Sequence, residues 1–316
     1  KGPRTDAVLI EHAGTIVYEK YARGFDASKK HLTWSTSKSV ENALAGIAVQ
    51  NGLLSLDDSI CKYLDNLPQE SCAVTLLNLS QMGSGFDWKE VYENESNQQS
   101  SVLALLYGQG HDDMGRFNAM HPLRDKPGTS WLYSSGDTCT LADAVGKALT
   151  PKYGDRYPWP VLFDKLGMKH VAFERDHAGT FIGASYFYAT ARDAARFGYL
   201  YENDGCWKGE RLLPEGFVKK VSTVNDAFLA KHVRADEKNP YGLGWWLNVP
   251  VPAHHLDKPY PDAPDDMFAA EGHWGQSITV IPSLDLVIVR FADDREHGAF
   301  NGNQFLKLAI AVGKAP

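Results

Sequence analysis

Apolar residues recur along this chain in two rhythms, and the switches between them outline the fold. Ala7-Val8-Leu9-Ile10 and Thr15-Ile16-Val17-Tyr18 read as strands joined through His12-Ala13-Gly14, a β-hairpin with a tight glycine turn. From Ser35 to Gln50 the period lengthens: Val40, Ala43, Leu44, Ile47 and Ala48 fall at helical spacing, and Asn51-Gly52 supplies the stop. This pattern predicts a strongly amphipathic helix. Between Leu54 and about Gly179 helical patterns and polar loops dominate, including the charged, amide-rich stretch Glu90 to Ser101. Strand character returns in Ser277-Ile278-Thr279-Val280-Ile281, a Pro282-Ser283 turn and Leu286-Val287-Ile288-Val289-Arg290-Phe291. A helix from Gln304 to Val312 follows, apolar at Phe305, Leu308, Ala309 and Val312. The five prolines between Asn248 and Asp266 mark a surface loop.

Hairpins at both ends with helices between them predict an α/β fold: one antiparallel sheet built from both termini, flanked by helices, with a mostly helical insert. The expected division is a discontinuous α/β domain over 1–55 and 180–316 and a mostly helical domain over 56–179.

Composition narrows the class. A chain of 316 residues that is 43% hydrophobic and 22% charged has enough apolar mass for a large core and no signature of disorder. Thirty-two Lys+Arg against 39 Asp+Glu leave a net charge of -7 without a basic stripe, which argues against a nucleic-acid partner and mildly against anionic substrates. No apolar run reaches the roughly 18 residues of a membrane span, and no signal-like segment follows Lys1. The four cysteines form no CxxC pair, so no metal or other cofactor is called for, and Cys61 and Cys72 bracket a loop that a disulfide would close in an exported protein.

The chemistry begins with an S-x-x-K spacing that occurs twice, as Ser35-Thr36-Ser37-Lys38 and as Ser59-Ile60-Cys61-Lys62. Context separates them. Ser35 stands where a loop enters the strongest helix, at the positive end of its dipole, with Lys38 one turn on and beside it. Ser59 follows Leu56-Asp57-Asp58 and reads as a polar helix start. A serine hydroxyl needs a base, and a lysine serves when its surroundings keep it partly neutral. A third group is therefore expected, and Tyr133 in Tyr133-Ser134-Ser135-Gly136-Asp137 is the candidate. His254-His255 and His111-Asp112-Asp113 read as solvated loop residues, and Asp193 with Arg196 as an ion pair along a helix.

Taken in order, these segments resemble one family, the serine penicillin-recognising hydrolases: class C β-lactamases, DD-peptidases, and related esterases and 6-aminohexanoate-dimer hydrolases. Trp34-Ser35-Thr36-Ser37-Lys38-Ser39, running on through Ala45-Gly46-Ile47-Ala48 to Asn51-Gly52-Leu53-Leu54, is similar to the nucleophile helix. Val74 to Leu79 with Ser84-Gly85, Pro127-Gly128 through Asp137, Ala189 to Gly198, Tyr241 to Trp246, and Gly272-His273-Trp274-Gly275-Gln276 follow in the family's order. The resemblance implies a β-lactamase/transpeptidase-like fold, a periplasmic or secreted setting, and acyl transfer through Ser35 with Lys38 and Tyr133 moving protons. The oxyanion would be held by the backbone N–H groups of Ser35 and Gln276, and substrate by Ser135, His273, Trp274, Gly275 and Trp245.

Two positions depart from the β-lactamase pattern. Trp274 stands where a hydroxyl residue is usual, and Ser135 where an amide binds the acylamide side chain. These departures favour an esterase or amidase on small, weakly polar acyl compounds over a β-lactamase or D-alanyl-D-alanine carboxypeptidase. Trp131, Tyr186, Trp245, Trp246 and Trp274 are the candidates for an aromatic-lined cleft. The expected partner is thus a small ester, amide or β-lactam. A non-catalytic penicillin-binding-like module for peptides or glycans is the reading of another class, and the intact Ser35, Lys38 and Tyr133 speak against it.

Overall fold

A computed structural model describes residues 2–92, 96, 99–231, 239–296 and 298–314. The strands are β1 (Thr5–His12), β2 (Thr15–Tyr21), β3 (His31–Leu32), β4 (Val171–Phe173), β5 (Phe187–Ala189), β6 (Cys206–Trp207), β7 (Glu210–Arg211), β8 (Trp246–Leu247), β9 (Phe268–Gly272), β10 (Gln276–Ile281) and β11 (Leu286–Ala292). The helices are α1 (Ser37–Gln50), α2 (Leu76–Ser80), α3 (Ser101–Tyr107), α4 (Met114–Ala119), α5 (Ser135–Tyr153), α6 (Asp164–Leu166), α7 (Ala191–Glu202), α8 (Phe217–Val221), α9 (Asp226–Ala230) and α10 (Gly302–Gly313).

The main sheet has the order β2-β1-β11-β10-β9-β8 with antiparallel neighbours throughout, so the two chain ends meet at the β1–β11 pair. Both predicted hairpins are present. Ala13 and Gly14 turn β1 into β2 with φ of 48° and 80°, as a two-residue hairpin loop requires. Val287, Val289 and Phe291 of β11 join the main core, to which α7 also contributes, while Leu286 and Ile288 pack with Leu306, Ala309 and Ile310 of α10 in a second cluster. Alternate residues of one strand thus serve two layers.

From Leu76 to Leu166 the chain is helical wherever it has regular structure among the described residues, and β4 then pairs with β5, which in turn pairs with β3. That small sheet ties the end of the helical stretch to the entry of α1. Cys61 and Cys72 are bonded, closing the loop between them. The second S-x-x-K is structural: Ser59 caps a 3-10 turn and donates to Cys72 O, and Lys62 pairs with Asp58. The Arg196–Asp193 ion pair closes at 2.7 Å.

The prediction of an amphipathic α1 needs correcting. Every residue from Ser37 to Ala48 is buried, because the helix runs between α5 and the sheet. Its apolar residues fill the core, and its polar ones find internal partners in the first turns. Ser37 Oγ donates to Ser185 O, Ser39 Oγ to Gly244 O, and Asn42 Nδ2 to Lys38 O.

Glu41 is the exception. It is wholly buried against Gly183, neither carboxyl oxygen has a partner among the described residues, and burial pushes its pKa from 4.5 up to about 8. An unfolded chain ionises this group above its ordinary value while the folded chain does not. Its cost is therefore absent at acid pH, grows as pH rises, and is full above the folded pKa. Glu41→Gln is expected to raise stability by roughly 2 kcal/mol or more at about pH 8 and to change it little at about pH 4, read from urea melts at the two values.

Candidate active site

The site forms where the 3-10 turn Trp34–Thr36 feeds α1. Ser35 is partly open to solvent at the N-terminal end of the helix, and Lys38 beneath it is 1% exposed. Lys38 Nζ lies 3.0 Å from Ser35 Oγ, 3.0 Å from Ser135 Oγ and 3.0 Å from the Ala184 carbonyl. Three segments far apart in sequence thus converge on one amine. Burial lowers the Lys38 pKa from 10.5 to about 8, with the Glu90 charge pulling the other way. An amine so placed is partly neutral near neutral pH and sits within proton-transfer distance of a hydroxyl.

Tyr133 precedes Ser134, the residue whose hydroxyl caps α5 by accepting from Asp137 N. Its ring stacks on Trp246 with centroids 5.2 Å apart, meets Tyr241 edge-on, and lies 4.9 Å from Lys38 Nζ. Burial raises the pKa of the hydroxyl well above 10.0, with the neighbouring Ser35 side chain pulling the other way. It is therefore a neutral phenol, fit to relay a proton rather than to act as a standing base. Ser35, Lys38 and Tyr133 are brought together as the sequence predicts.

The remaining candidates divide. Trp245 is not at the site: it is 0% exposed and packed among Phe197, Tyr201 and Phe268. Side chains of neighbouring residues in extended chain point to opposite sides, and it is Trp246 that faces Tyr133. Trp131 is likewise core, 1% exposed. Ser135 is not open to substrate either. It is 2% exposed, and its hydroxyl is committed between Lys38 and Glu90.

His273, Trp274 and Gly275 form the β9–β10 turn. His273 stacks on Tyr92 at 5.2 Å, and both His273 and Trp274 meet the Trp34 ring edge-on. Gly275 carries a φ of 90°, and a Cβ there would strike Arg290 Nη1 and Asp294 Oδ2, the pair that braces the turn.

Gln276 spends its side chain inside the turn, donating to Ala292 O and His273 O, and its backbone pairs across the ladder with Gly272. The part of the hairpin that approaches Ser35 is Gly272, where a Cβ would fall 3.2 Å from Ser35 N.

Trp34, Tyr186 and Trp274 all have positive φ, 49°, 56° and 60°, and their rings contact one another through Trp34. Each such residue costs about 1–2 kcal/mol. Aromatic packing holds the turn that presents Ser35 in this otherwise costly form.

Two residues at the site escaped the sequence reading. Glu90 accepts from Trp88 Nε1, Tyr92 OH, Ser135 N and Ser135 Oγ, and the Tyr92 ring stacks on His273 beside them. The only signal was the spacing Trp88-x-Glu90-x-Tyr92, aromatic residues in an otherwise polar loop.

An antiparallel sheet closed by both termini, a helical half beside it and a lysine buried on the helix between them define the β-lactamase and penicillin-binding-protein class of fold. The family model described as Beta-lactamase matches residues 3–311, and the chain belongs to that family of hydrolases. It is 24% identical over 301 residues to the 6-aminohexanoate-dimer hydrolase of Paenarthrobacter ureafaciens, an alignment covering 91% of this chain and 72% of that one. Among solved structures it is similar to a Bacillus anthracis protein provisionally named 6-aminohexanoate-dimer hydrolase, with TM-score 0.79, 23% identity, and coverage of 99% of this chain and 81% of the other. The penicillin-binding protein of Bacillus halodurans superposes with TM-score 0.65 at 15% identity, covering 94% of each chain. No helix among the described residues is long and apolar enough to cross a membrane.

Gly272→Ala tests the contact between hairpin and nucleophile. A methyl there would lie 2.1 Å from Thr33 O, so the Trp34–Thr36 turn must shift. A displacement of about 1 Å at a reacting group costs on the order of 100-fold. We expect kcat/KM on a p-nitrophenyl ester to fall by about that factor with the far-UV spectrum retained; wild-type turnover would show that the contact is dispensable.

Proposed function

We propose that the protein is a serine hydrolase working through an acyl-enzyme on Ser35, with small, uncharged or weakly polar esters and amides as substrates. The observation that carries this reading is the buried Lys38 amine within 3.0 Å of the Ser35 hydroxyl.

Ser35 Oγ attacks the substrate carbonyl carbon, and its proton passes to neutral Lys38. The oxyanion is held by the Ser35 N–H and a backbone N–H of the β9–β10 turn. Gln276 is the residue that the family pattern names for the second donor, and it stands opposite Gly272, the strand residue beside Ser35 N. The proton then moves through the Tyr133 hydroxyl to the leaving oxygen or nitrogen, which departs. Water attacks the acyl-Ser35 ester, gives its proton to Lys38, and Ser35 recovers its hydrogen as the acid leaves.

The surroundings support the substrate class. Trp34, Tyr92, Tyr186, His273 and Trp274 gather around the nucleophile turn, and suit apolar acyl and alkyl groups. Where a β-lactamase offers an amide to the acylamide side chain, Ser135 has no free hydroxyl and the neighbouring Glu90 carboxylate would repel a carbonyl oxygen. The 24% identity with a 6-aminohexanoate-dimer hydrolase accords with an amide- or ester-cleaving activity. The Cys61–Cys72 disulfide suits an oxidising, periplasmic or secreted setting.

Short-chain p-nitrophenyl esters are expected to turn over faster than nitrocefin, and Ser35→Ala to abolish both reactions. Nitrocefin turnover equal to or above that of the ester would make the protein a β-lactamase instead, and activity surviving in Ser35→Ala would remove the mechanism. Tyr133→Phe should lose at least about 100-fold in kcat with little change in melting temperature; full activity in that variant would reduce the residue to packing.

A further inference from the structure

The reaction scheme leaves the most heavily hydrogen-bonded carboxylate of the site without a task. Glu90 is 6% exposed and lies across Ser135 from Lys38. Lys38 Nζ donates to Ser135 Oγ at 3.0 Å, Ser135 Oγ donates to Glu90 Oε1 at 2.6 Å, and Ser135 N donates to Glu90 Oε2 at 3.0 Å. Trp88 Nε1 and the Tyr92 hydroxyl donate to it as well. A buried carboxylate is costly to keep unless it is held this fully. Packing alone would have been served by an apolar residue.

We propose that Glu90, acting through Ser135, is a positioning residue that holds the Lys38 amine against Ser35 and keeps it basic enough to take the serine proton. The inference rests on the reading of Lys38 as the base of an acyl-enzyme hydrolase. The groups facing the amine are few. From the turn before its helix comes Ser35; from the 182–186 loop, the Ala184 carbonyl; from α5 and the residues before it, Ser135, the Cys139 thiol and the Tyr133 ring; and beyond Ser135, Glu90 with Tyr92. Glu41, one turn on along the helix, packs instead against Gly183.

Among these groups Glu90 is the carboxylate whose charge favours the ammonium, and it opposes the burial that disfavours it. An amine that is only desolvated would be neutral over a wider pH range, but it would be a weaker base for a hydroxyl proton. The bridging serine lets the carboxylate act without forming a direct ion pair, which would tie the amine up and withhold it from Ser35.

The test is the pH profile of kcat/KM for a neutral short-chain p-nitrophenyl ester, from about pH 5 to about pH 10. In the wild type the acid limb reports the ionisation of Lys38. Glu90→Gln is expected to move that limb to lower pH by about one unit or more, the scale of an opposite charge a few ångströms away, and to lower the plateau at least tenfold. Ser135→Ala removes the link while leaving the carboxylate, and should shift the limb the same way by less. Glu90→Asp keeps the charge and should leave the limb near its wild-type position while the plateau falls.

A limb that stays in place in both Glu90→Gln and Ser135→Ala, in proteins whose circular dichroism is native, would overturn the proposal and leave Glu90 a packing residue. If Glu90→Gln does not fold, the shift or constancy of the limb in Ser135→Ala decides. Failure of the underlying reading has a separate signature: wild-type protein that forms no fluorophosphonate adduct on Ser35, whatever residue stands at 90.

Discussion

One amine in the wrong solvent organises this molecule. Lys38 is carried into the interior by a helix buried from Ser37 to Ala48, and a fully desolvated ammonium is among the most expensive things a protein can bury. The structure meets that cost with hydrogen bonds from distant parts of the chain: Ser35 from the turn before the helix, Ser135 at the start of α5, and Ala184 from the loop leading to β5. These groups can meet only if α1 lies between the helical half and the sheet, so the architecture and the chemistry are two views of the same constraint. The same burial lowers the amine's proton affinity, which is what the proposed role as base requires.

The second constraint is geometric. Ser35 must face the cleft while its backbone N–H stays at the positive end of α1. Trp34 adopts a left-handed conformation to permit this, Tyr186 and Trp274 adopt the same region beside it, and Gly272 removes the side chain that would keep β9 away. Backbone strain on three aromatic residues around one turn is offset by the ring contacts they make with one another. The hairpin is fixed from behind by Arg290, which bonds Gly275 O and Asp294 and is itself nearly inaccessible.

Much of this was legible in the residues. Strand alternation at both ends, the helical period from Val40 to Ala48 and the tight turn at Ala13-Gly14 determine the sheet and its central helix. The serine and lysine one turn apart, with a tyrosine before another helix, point to the three side chains that the fold brings together. What was not legible depended on register and on contacts distant in sequence. Trp245 and Trp246 are indistinguishable until the backbone shows which faces the sheet interior and which faces Tyr133. Ser135 could be read as a substrate contact because nothing in the sequence reveals that its hydroxyl is already taken by Glu90. Glu90 itself stands in a polar loop with no periodicity, and only the fold brings it to Lys38. The amphipathic reading of α1 failed because polar residues in a helix signal solvent only when no internal partner awaits them.

The central claim is that Lys38 acts as the base for Ser35 because burial leaves it partly neutral at working pH. The most direct measurement is the rate of covalent labelling by a fluorophosphonate as a function of pH, with the modified peptide identified by mass spectrometry, in wild type and in Lys38→Met. An adduct on Ser35 is expected, forming at a rate that rises with pH through a midpoint near 8, where the Lys38 amine loses its proton, and Lys38→Met should lose that dependence together with at least about 100-fold of the rate. Labelling of another residue, or a wild-type rate on Ser35 in the absence of the lysine, would contradict it.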